Sequence, residues 1–313
     1  MSHSHDAPDG RLDARLWAAA TLNVGITAAE VAGGLLSGSL ALLSDAAHNA
    51  SDVVAVVLAL WARRVGRRPP TMRHSYGFKR TEVIVALANA ASLVGVTVLI
   101  GQEAILRLLH PEPVARGTML AVASVALGAN VASVLLLRRH ERDDVNVRSA
   151  FLHMAQDALA SLAVVLAALF AHTPAGVYLD PVAALVVGLV VLRSALSLAR
   201  ETLRTLLEGT PPDVHIAELA AAVDRAFAPA RIHHVHVWEI GPRQRLLTAH
   251  LALGEEMDGR AIEALLGRVK AFLREGWSVD HATLEPEVRG CAEPALLGRW
   301  VAPHEDGHPG RLE

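Results

Sequence analysis

Two histidine–aspartate pairs lie within long apolar stretches of this chain. His48 and Asp52 belong to the run SLALLSDAAHNASDVVAVVLALWA, and His153 and Asp157 belong to a second run that starts near residue 147. Each pair has the spacing i, i+4, which places both side chains on one face of a helix. Two such helices can present two imidazole nitrogens and two carboxylate oxygens to one cation, a ligand set that suits tetrahedral Zn2+. The pattern therefore predicts a divalent-metal site shared by two helices.

The apolar surroundings make these four residues candidates for a function. An ionisable side chain at bilayer depth costs roughly 2.5–3.5 kcal/mol on insertion scales, so it is assigned a functional role by default. The alternative interpretation is that the four side chains only join the helices through polar contacts, and the repeated spacing favours metal binding over it. Two neighbours of His48 are assigned supporting roles. Asp45 either orients a ligand histidine or caps a neighbouring segment near the membrane surface, and Asn49 either supports the ligands or packs.

The composition indicates a membrane domain followed by a soluble one. The chain has 313 residues, of which 52% are hydrophobic and 19% are charged, and its mean hydropathy is +0.34. The charges are segregated, because apolar runs fill 16–207 and the remainder reads as soluble protein. Each run is near the roughly 20 residues that cross a bilayer. The six runs cover 16–36, 39–62, 82–106, 117–137, 149–171 and 179–203.

The charges also predict an orientation. Basic residues cluster before the first run, between the second and third, between the fourth and fifth, and after the sixth, whereas the opposite loops contain few. The positive-inside rule therefore places both termini in the cytoplasm. The net charge is −3 and no basic face carries interleaved aromatic residues, so nucleic-acid binding is not predicted. The single cysteine, Cys291, excludes an internal disulfide.

Local signals outline the connections and the soluble part. Ser37-Gly38 predicts a tight hairpin, and Asp180-Pro181 predicts that Asp180 caps the start of the sixth helix. After residue 208 the pattern predicts the order α-β-β-α-β in a small two-layer α+β domain. The predicted elements are helices over 214–227 and 261–273 and strands over 231–240, 243–253 and 278–284. The predicted domains are thus a polar segment over 1–15, a six-helix membrane domain over 16–207, a soluble domain over 208–288 and a loosely ordered tail over 289–313.

Three histidines lie close together on the first predicted strand. A period of two places His234 and His236 on one face of that strand and His233 on the other. An exposed polar strand edge is the alternative to a metal site here, and the alternation alone only slightly favours metal binding.

Seven motifs in order carry a resemblance to a known family. They are GGLLSGSLALLSDAAHNASD, HSYGFKRTEV, HMAQD, YLDPVAALVVG, LLEGTPP, IHHVHVWEI and DHATLEPE. Over 11–287 the chain resembles the cation diffusion facilitator family of metal transporters, and within it the zinc-exporting branch, because the second helix offers His48 at the first ligand position. The resemblance implies a homodimeric antiporter of the bacterial inner membrane that exports Zn2+ from the cytoplasm in exchange for H+.

The resemblance also implies a site in the soluble domain, which would be ferredoxin-like and would bind Zn2+ as a regulatory ligand. The matching positions are His233, His250, His281 and either Glu285 or Glu287. Opposite charges at the family's hinge positions suggest that Arg80 pairs with Glu208. Cd2+, Co2+ and Fe2+ stay open as further ions, and the expected partners are the metal ion, protons, membrane lipid and a second copy of the chain.

The chemistry of histidine supports exchange of metal against protons. A histidine binds metal only when it is neutral, and its unperturbed pKa of about 6.5 lies in the working range, so protons and metal compete for the ring. A passive metal channel and a membrane metal sensor are the first alternatives. An intramembrane metallo-hydrolase is less favoured, because His-x-x-x-Asp supplies ligands without the general base of His-Glu-x-x-His. No nucleophile stands beside a base in the sequence, so an enzyme is not predicted.

Overall fold

In the part of the chain that the structure describes, six long helices come first. The computed structural model describes residues 10–137, 145–173, 175–242, 244–288 and 295–297, with side chains described outside 10–22, 136–137 and 145–150. Predictions for Cys291, for residues 1–9 and for most of the tail lie outside the described residues. The helices are α1 (Gly10–Ser37), α2 (Leu40–Gly66), α3 (Thr81–Leu109), α4 (Arg116–Leu137), α5 (Val145–Phe170) and α6 (Leu179–Leu206).

Five of these helices are suited to a bilayer by length and composition. Within the described residues, α2 to α6 each contain a helical segment of at least 20 residues that is long and apolar enough to cross a membrane. The prediction of six spans stays open for α1, because its first side chains are not described. Packing among the helices buries Leu42, Met119 and Val164 in one apolar cluster. Close approach of α1 to α4 depends on Gly33, where a Cβ atom would lie 2.7 Å from a methyl carbon of Val122.

The turn between α1 and α2 shows why the helices end where they do. Gly38 has φ +70°, a left-handed conformation that glycine adopts without strain, which agrees with the predicted hairpin.

The prediction that Asp180 caps the start of the sixth helix was wrong. Its carboxylate accepts hydrogen bonds from the hydroxyl of Ser39 at 2.5 Å and from the backbone N–H groups of Leu40 and Ala41. Asp180 therefore caps α2, a helix 140 residues away in sequence, and lies in the first turn of α6 itself.

The remaining elements form a small mixed α+β unit. They are α7 (Ile216–Ala226), β1 (Arg231–Gly241), β2 (Gln244–Ala252), α8 (Gly259–Trp277) and β3 (Val279–Glu287). The sheet has the order β1-β2-β3, with β1 antiparallel and β3 parallel to β2. The amphipathic helices α7 and α8 pack on β1 and β3 and bury Leu219, Val235, Leu247 and Leu273. The order α-β-β-α-β agrees with the prediction.

Two details of this sheet differ from the predictions. Strand β3 continues to Glu287, past Pro286, although the predicted strand ends at residue 284. Part of the predicted loose tail is paired, because the backbone N–H groups of His234 and Val235 donate to the carbonyl oxygens of Ala295 and Leu296. The reason is that β1 lies at an edge of the sheet, where its outer N–H groups need partners.

The chain divides into two compact units. The described residues up to Arg64 and Val85–Arg200 form the first, while Val65–Ile84 and the described residues from Glu201 onward form the second. The segment 65–84, which contains the loop between α2 and α3 and which the sequence assigned to the membrane domain, thus groups with the α+β unit. In the described part of the chain, each unit contains one group of side chains that could hold a metal ion.

Candidate metal centre

The helices α2 and α5 bring the four predicted ligands together. His48 Nε2 lies 3.6 Å from Asp157 Oδ1, and His153 Nε2 lies 3.2 Å from Asp52 Oδ2. Within each helix, His48 Nδ1 lies 3.7 Å from Asp52 Oδ2, and His153 Nε2 lies 3.8 Å from Asp157 Oδ2. Donor atoms of a tetrahedral Zn2+ site with bonds of 2.0–2.1 Å lie roughly 3.3 Å apart. The observed spacing is therefore close to that of ligands around one ion.

The polar atoms of this centre lack hydrogen-bond partners. His48 Nδ1, Asp52 Oδ2 and both carboxylate oxygens of Asp157 are buried without such a partner among the described residues. An unsatisfied buried polar group costs about 1–3 kcal/mol, and more when it is charged. The two imidazole rings lie nearly perpendicular, with centroids 5.7 Å apart, so they do not block each other. The four donor groups lie close enough together to hold one cation, and the two carboxylates would balance the charge of a divalent ion.

The two predicted supporting residues are buried beside the centre. Asp45 accepts a hydrogen bond of 3.0 Å from Ser161 on α5, whose hydroxyl accepts one from Asn130 on α4. Asn49 donates to Glu30 Oε2 on α1 at 2.8 Å. The structure thus gives Asp45 a buried contact between helices rather than a cap at the membrane surface. Among the described residues neither Asp45 nor Asn49 hydrogen-bonds to one of the four ligands.

From the sequence, Glu30 is expected to be a structural hydrogen-bonding residue rather than a ligand, and Ser161 is not singled out. The available signal was Glu30 itself, an ionisable residue in an apolar helix. Its carboxyl group is fully buried, with Asp45 and Asp157 as its charged neighbours.

A second cluster lies on the sheet of the α+β unit. His250 Nδ1 lies 2.6 Å from Glu287 Oε1, and His233 Nε2 lies 3.1 Å from Glu287 Oε2. His234 completes the group, since ligand atoms of His233, His234 and His250 all lie within 4.8 Å of one another. Glu285 is the more distant of the two predicted glutamates, with Oε2 at 3.7 Å from His250 Nε2. The sheet cluster is therefore defined here as His233, His234, His250 and Glu287.

Strand pairing explains most of the sheet cluster. His233 is paired with His250 across β1 and β2, and His250 with Glu285 across β2 and β3. The predicted separation of His233 from His234 was wrong, because a register shift between His233 and His236 interrupts the alternation. His234 adopts φ 48° at this bulge, and its ring centroid lies 4.8 Å from that of His250. A bulge of this kind turns two successive side chains toward the same cluster.

The structure does not bring the predicted ligand His281 to this cluster. His281 is exposed and pairs with Leu246, at the other end of β3 from Glu287. It stands four residues before Glu285, which at about 3.3 Å per strand residue is roughly 13 Å along the strand.

Burial changes the pKa of one histidine of the sheet cluster. Desolvation lowers the pKa of His233 below its ordinary value, although the carboxylate of Glu287 opposes this effect. A lowered pKa favours the neutral ring, which is the form that binds metal.

The predicted pair of Arg80 and Glu208 is in contact. Arg80 Nη2 donates to Glu208 Oε1 at 2.6 Å, and both side chains are exposed. Glu208 adopts φ 58° two residues after the end of α6, so the backbone turns sharply at this residue. Exposed ion pairs of this kind contribute little to stability.

Comparison with known proteins adds independent information. A family model described as a cation efflux transmembrane domain matches residues 16–207. The zinc transporter ZitB of Escherichia coli K12 is 39% identical over 98% of this chain and 99% of its own length. The metal cation efflux system protein CzcD of Cupriavidus metallidurans is 33% identical over 95% of this chain and 96% of its own length. A cadmium, cobalt and zinc/H(+)-K(+) antiporter of Bacillus velezensis is 29% identical, with 92% of each chain covered.

Proposed function

Because this chain belongs to the cation diffusion facilitator family, we propose that it exports Zn2+ from the cytoplasm in exchange for H+. The protein is an integral membrane protein, and we place it in a bacterial inner membrane with both termini in the cytoplasm, as the basic loops favour. The observation that carries the proposal is the meeting of His48, Asp52, His153 and Asp157 at distances of 3.2–3.8 Å between α2 and α5.

Proton exchange follows from the ligands themselves. His48 and His153 bind a metal ion only when neutral, so each proton that they gain weakens the hold on the ion. When the centre opens to a more acidic exterior, protons displace the metal. When it opens to the cytoplasm, the metal displaces the protons. The carboxylates of Asp52 and Asp157 keep the centre attractive to a cation in both states.

The donor set guides the choice of ion. Two imidazole nitrogens and two carboxylate oxygens suit Zn2+, and the same donors accept Cd2+, Co2+ and Fe2+ with different geometric preferences. The names of the relatives agree with this range, since ZitB is named for zinc and the Bacillus velezensis antiporter for cadmium, cobalt and zinc. We therefore propose Zn2+ as the main substrate, with Cd2+ and Co2+ as competitors.

For the α+β unit we propose a ferredoxin-like domain that dimerises and senses cytoplasmic Zn2+ at the sheet cluster. The fit is supported by His233 Nε2 and Glu287 Oε2, which are buried without hydrogen-bond partners in the described part of the chain. His233, His250 and Glu287 would hold the ion, and Glu285 lies near enough to contribute. We leave His281 out of this site because of its position on β3.

Transport into proteoliposomes separates an antiporter from the alternatives. An acidic interior should drive Zn2+ uptake if the protein exchanges Zn2+ for H+, and collapse of the pH gradient with an ionophore should stop it. A passive channel would take up Zn2+ along its own gradient whether or not a pH gradient is present. A sensor or a hydrolase would show no flux in either condition, and any of these results would overturn the proposal.

A further inference from the structure

Among the described residues, three buried carboxyl groups of the helical unit are not metal ligands, and two of them, Glu30 and Asp45, lie close to the metal centre. Glu30 on α1 and Asp45 on α2 have relative exposures of 0% and 1%. Glu30 accepts one hydrogen bond, from Asn49, and Asp45 accepts one from Ser161. In the part of the chain whose side chains are described, no lysine or arginine pairs with either group.

The charged groups that face Glu30 are all acidic. Asp45 on α2 interacts with it most strongly, and Asp157 on α5 is the second. Asp45 in turn faces Asp157 and the ligand His48. Three neighbouring carboxylates in an apolar interior repel one another, and a buried carboxyl group without a counter-ion takes up a proton to remain neutral. The charge pattern therefore favours a proton on one of these groups when no metal is bound, and Glu30 is the one that no histidine faces.

The hydrogen bonds of these side chains also indicate an added proton, independently of charge. Glu30 Oε1, Asp45 Oδ1 and Asn49 Oδ1 are each buried without a partner among the described residues. All three atoms are acceptors, so this group lacks a donor rather than an acceptor. One added proton converts one carboxyl oxygen into the missing donor.

Asp180 shows what a buried carboxylate looks like in this unit when it needs no proton. It is 2% exposed, and it accepts three hydrogen bonds, from the Ser39 hydroxyl and from two backbone N–H groups of α2. Both of its oxygens are satisfied as acceptors. Glu30 is as deeply buried but receives a single hydrogen bond, which leaves Oε1 available to carry a proton.

We propose that Glu30 is a proton-binding site coupled to the metal centre, which holds a proton while the centre is free and releases it when Zn2+ binds. This inference rests on the proposed exchange of Zn2+ for H+. The coupling is electrostatic: bound Zn2+ compensates the charge of Asp157, which removes part of the repulsion that keeps Glu30 protonated. The proton leaves as H+ to water on the side to which the centre is open, and it returns when the metal leaves. Glu30 thus adds a proton to those displaced from His48 and His153.

The first test counts protons released per Zn2+ bound by the full-length protein in weakly buffered detergent solution. Glu30→Gln keeps a neutral, hydrogen-bonding side chain opposite Asn49 but cannot titrate. We expect it to bind Zn2+ while releasing about one proton fewer than the wild type. Protons released from the sheet cluster cancel in this comparison, because both proteins contain it. Asp180→Asn is the matched control, and its proton count should equal that of the wild type.

A second measurement guards against a folding defect. In infrared difference spectra of the wild type, Zn2+ binding should remove a carboxylic-acid C=O band. Glu30→Asp should shift that band and Glu30→Gln should abolish it. Equal proton counts in the wild type and in folded Glu30→Gln would overturn the inference, as would a wild-type spectrum without the band. Failure of a pH gradient to drive Zn2+ uptake by the wild type would instead overturn the proposed function, and this inference with it.

Discussion

The metal centre of the helices and the sheet cluster use the same side-chain types but are assembled differently. The helical ligands come in two i, i+4 pairs, and their contacts leave four polar atoms without hydrogen bonds. In the sheet cluster, Glu287 already hydrogen-bonds to His250 at 2.6 Å, and a backbone bulge supplies His234. An ion that takes His250 Nδ1 and Glu287 Oε1 as ligands would replace this hydrogen bond, while His233 Nε2 and Glu287 Oε2 have no hydrogen-bond partner among the described residues. At the helical centre, no hydrogen bond within the described part of the chain occupies the four atoms. We therefore predict that substitutions at the helical centre abolish transport, whereas substitutions at the sheet cluster lower metal affinity by degrees.

The largest effect is expected for Asp157→Ala. Asp157 is fully buried and contacts both ligand histidines, so its loss removes a donor and half of the compensating negative charge. We expect Zn2+ uptake into proteoliposomes to fall by at least about 100-fold, the upper range for outer partners of metal ligands. Retained monodispersity and helical content would show that the variant folds. Near-normal Zn2+ uptake by a folded Asp157→Ala protein would mean that transport does not depend on the helical centre.

A smaller effect is expected at the sheet cluster, where Glu287 and Glu285 form a matched pair. Glu287 contacts both His233 and His250, whereas Glu285 lies 3.7 Å from His250. Glu287→Gln should lower Zn2+ affinity at this cluster by about tenfold and Glu285→Gln by much less. Calorimetric titration of both variants in a background carrying Asp157→Ala isolates the cluster. Equal losses of Zn2+ affinity in the two variants would mean that the closer contacts of Glu287 do not make it the preferred ligand.

The bulge in β1 gives a third comparison of similar design. His234 belongs to the sheet cluster because of its φ of 48°, whereas His236 is exposed and pairs with Thr248. His234→Ala should weaken Zn2+ binding several-fold, by up to about tenfold, and His236→Ala should leave it unchanged in the same titration. The reverse order would restore the simple alternation that the sequence predicts, and the bulge would then have no role in metal binding.

The smallest effect is expected for the exposed pair of Arg80 and Glu208. Surface ion pairs contribute about 0.2–1 kcal/mol, so either single charge reversal should reduce transport only a few-fold. Arg80→Glu combined with Glu208→Arg restores opposite charges in swapped positions. Uptake by the double variant should return toward the wild-type rate. A double variant that is no better than the worse single variant would argue that the contact has no functional role.

The same contrast between helix and sheet explains what could be predicted from the sequence. A helix holds i, i+4 side chains on one face regardless of the rest of the fold, so His48 with Asp52 and His153 with Asp157 were predicted correctly as neighbours. A strand loses its alternation at a single bulge, and nothing in the residue type of His234 signals a positive φ. Its position beside His233 and His250 was therefore not predictable from spacing.

Two other differences have equally local causes. The predicted last strand ends at residue 284, yet β3 continues past Pro286, because β3 is an edge strand, where a residue without an N–H group is tolerated. Extending the strand is what places Glu287 beside the histidines. The cap of α2 by Asp180 joins residues 140 positions apart. Local pattern rules cannot predict such a contact, because it depends on where the sixth helix packs.

The most direct test of the shared metal centre is X-ray absorption spectroscopy of Zn2+ bound to the full-length His250→Ala variant, in which the sheet cluster is impaired. We expect one Zn2+ ion with two imidazole nitrogens and two carboxylate oxygens at about 2.0–2.2 Å from the metal. Adding His48→Ala or His153→Ala should each remove one imidazole from the coordination sphere. An ion whose coordination stays the same after both substitutions would contradict the claim that α2 and α5 hold it together.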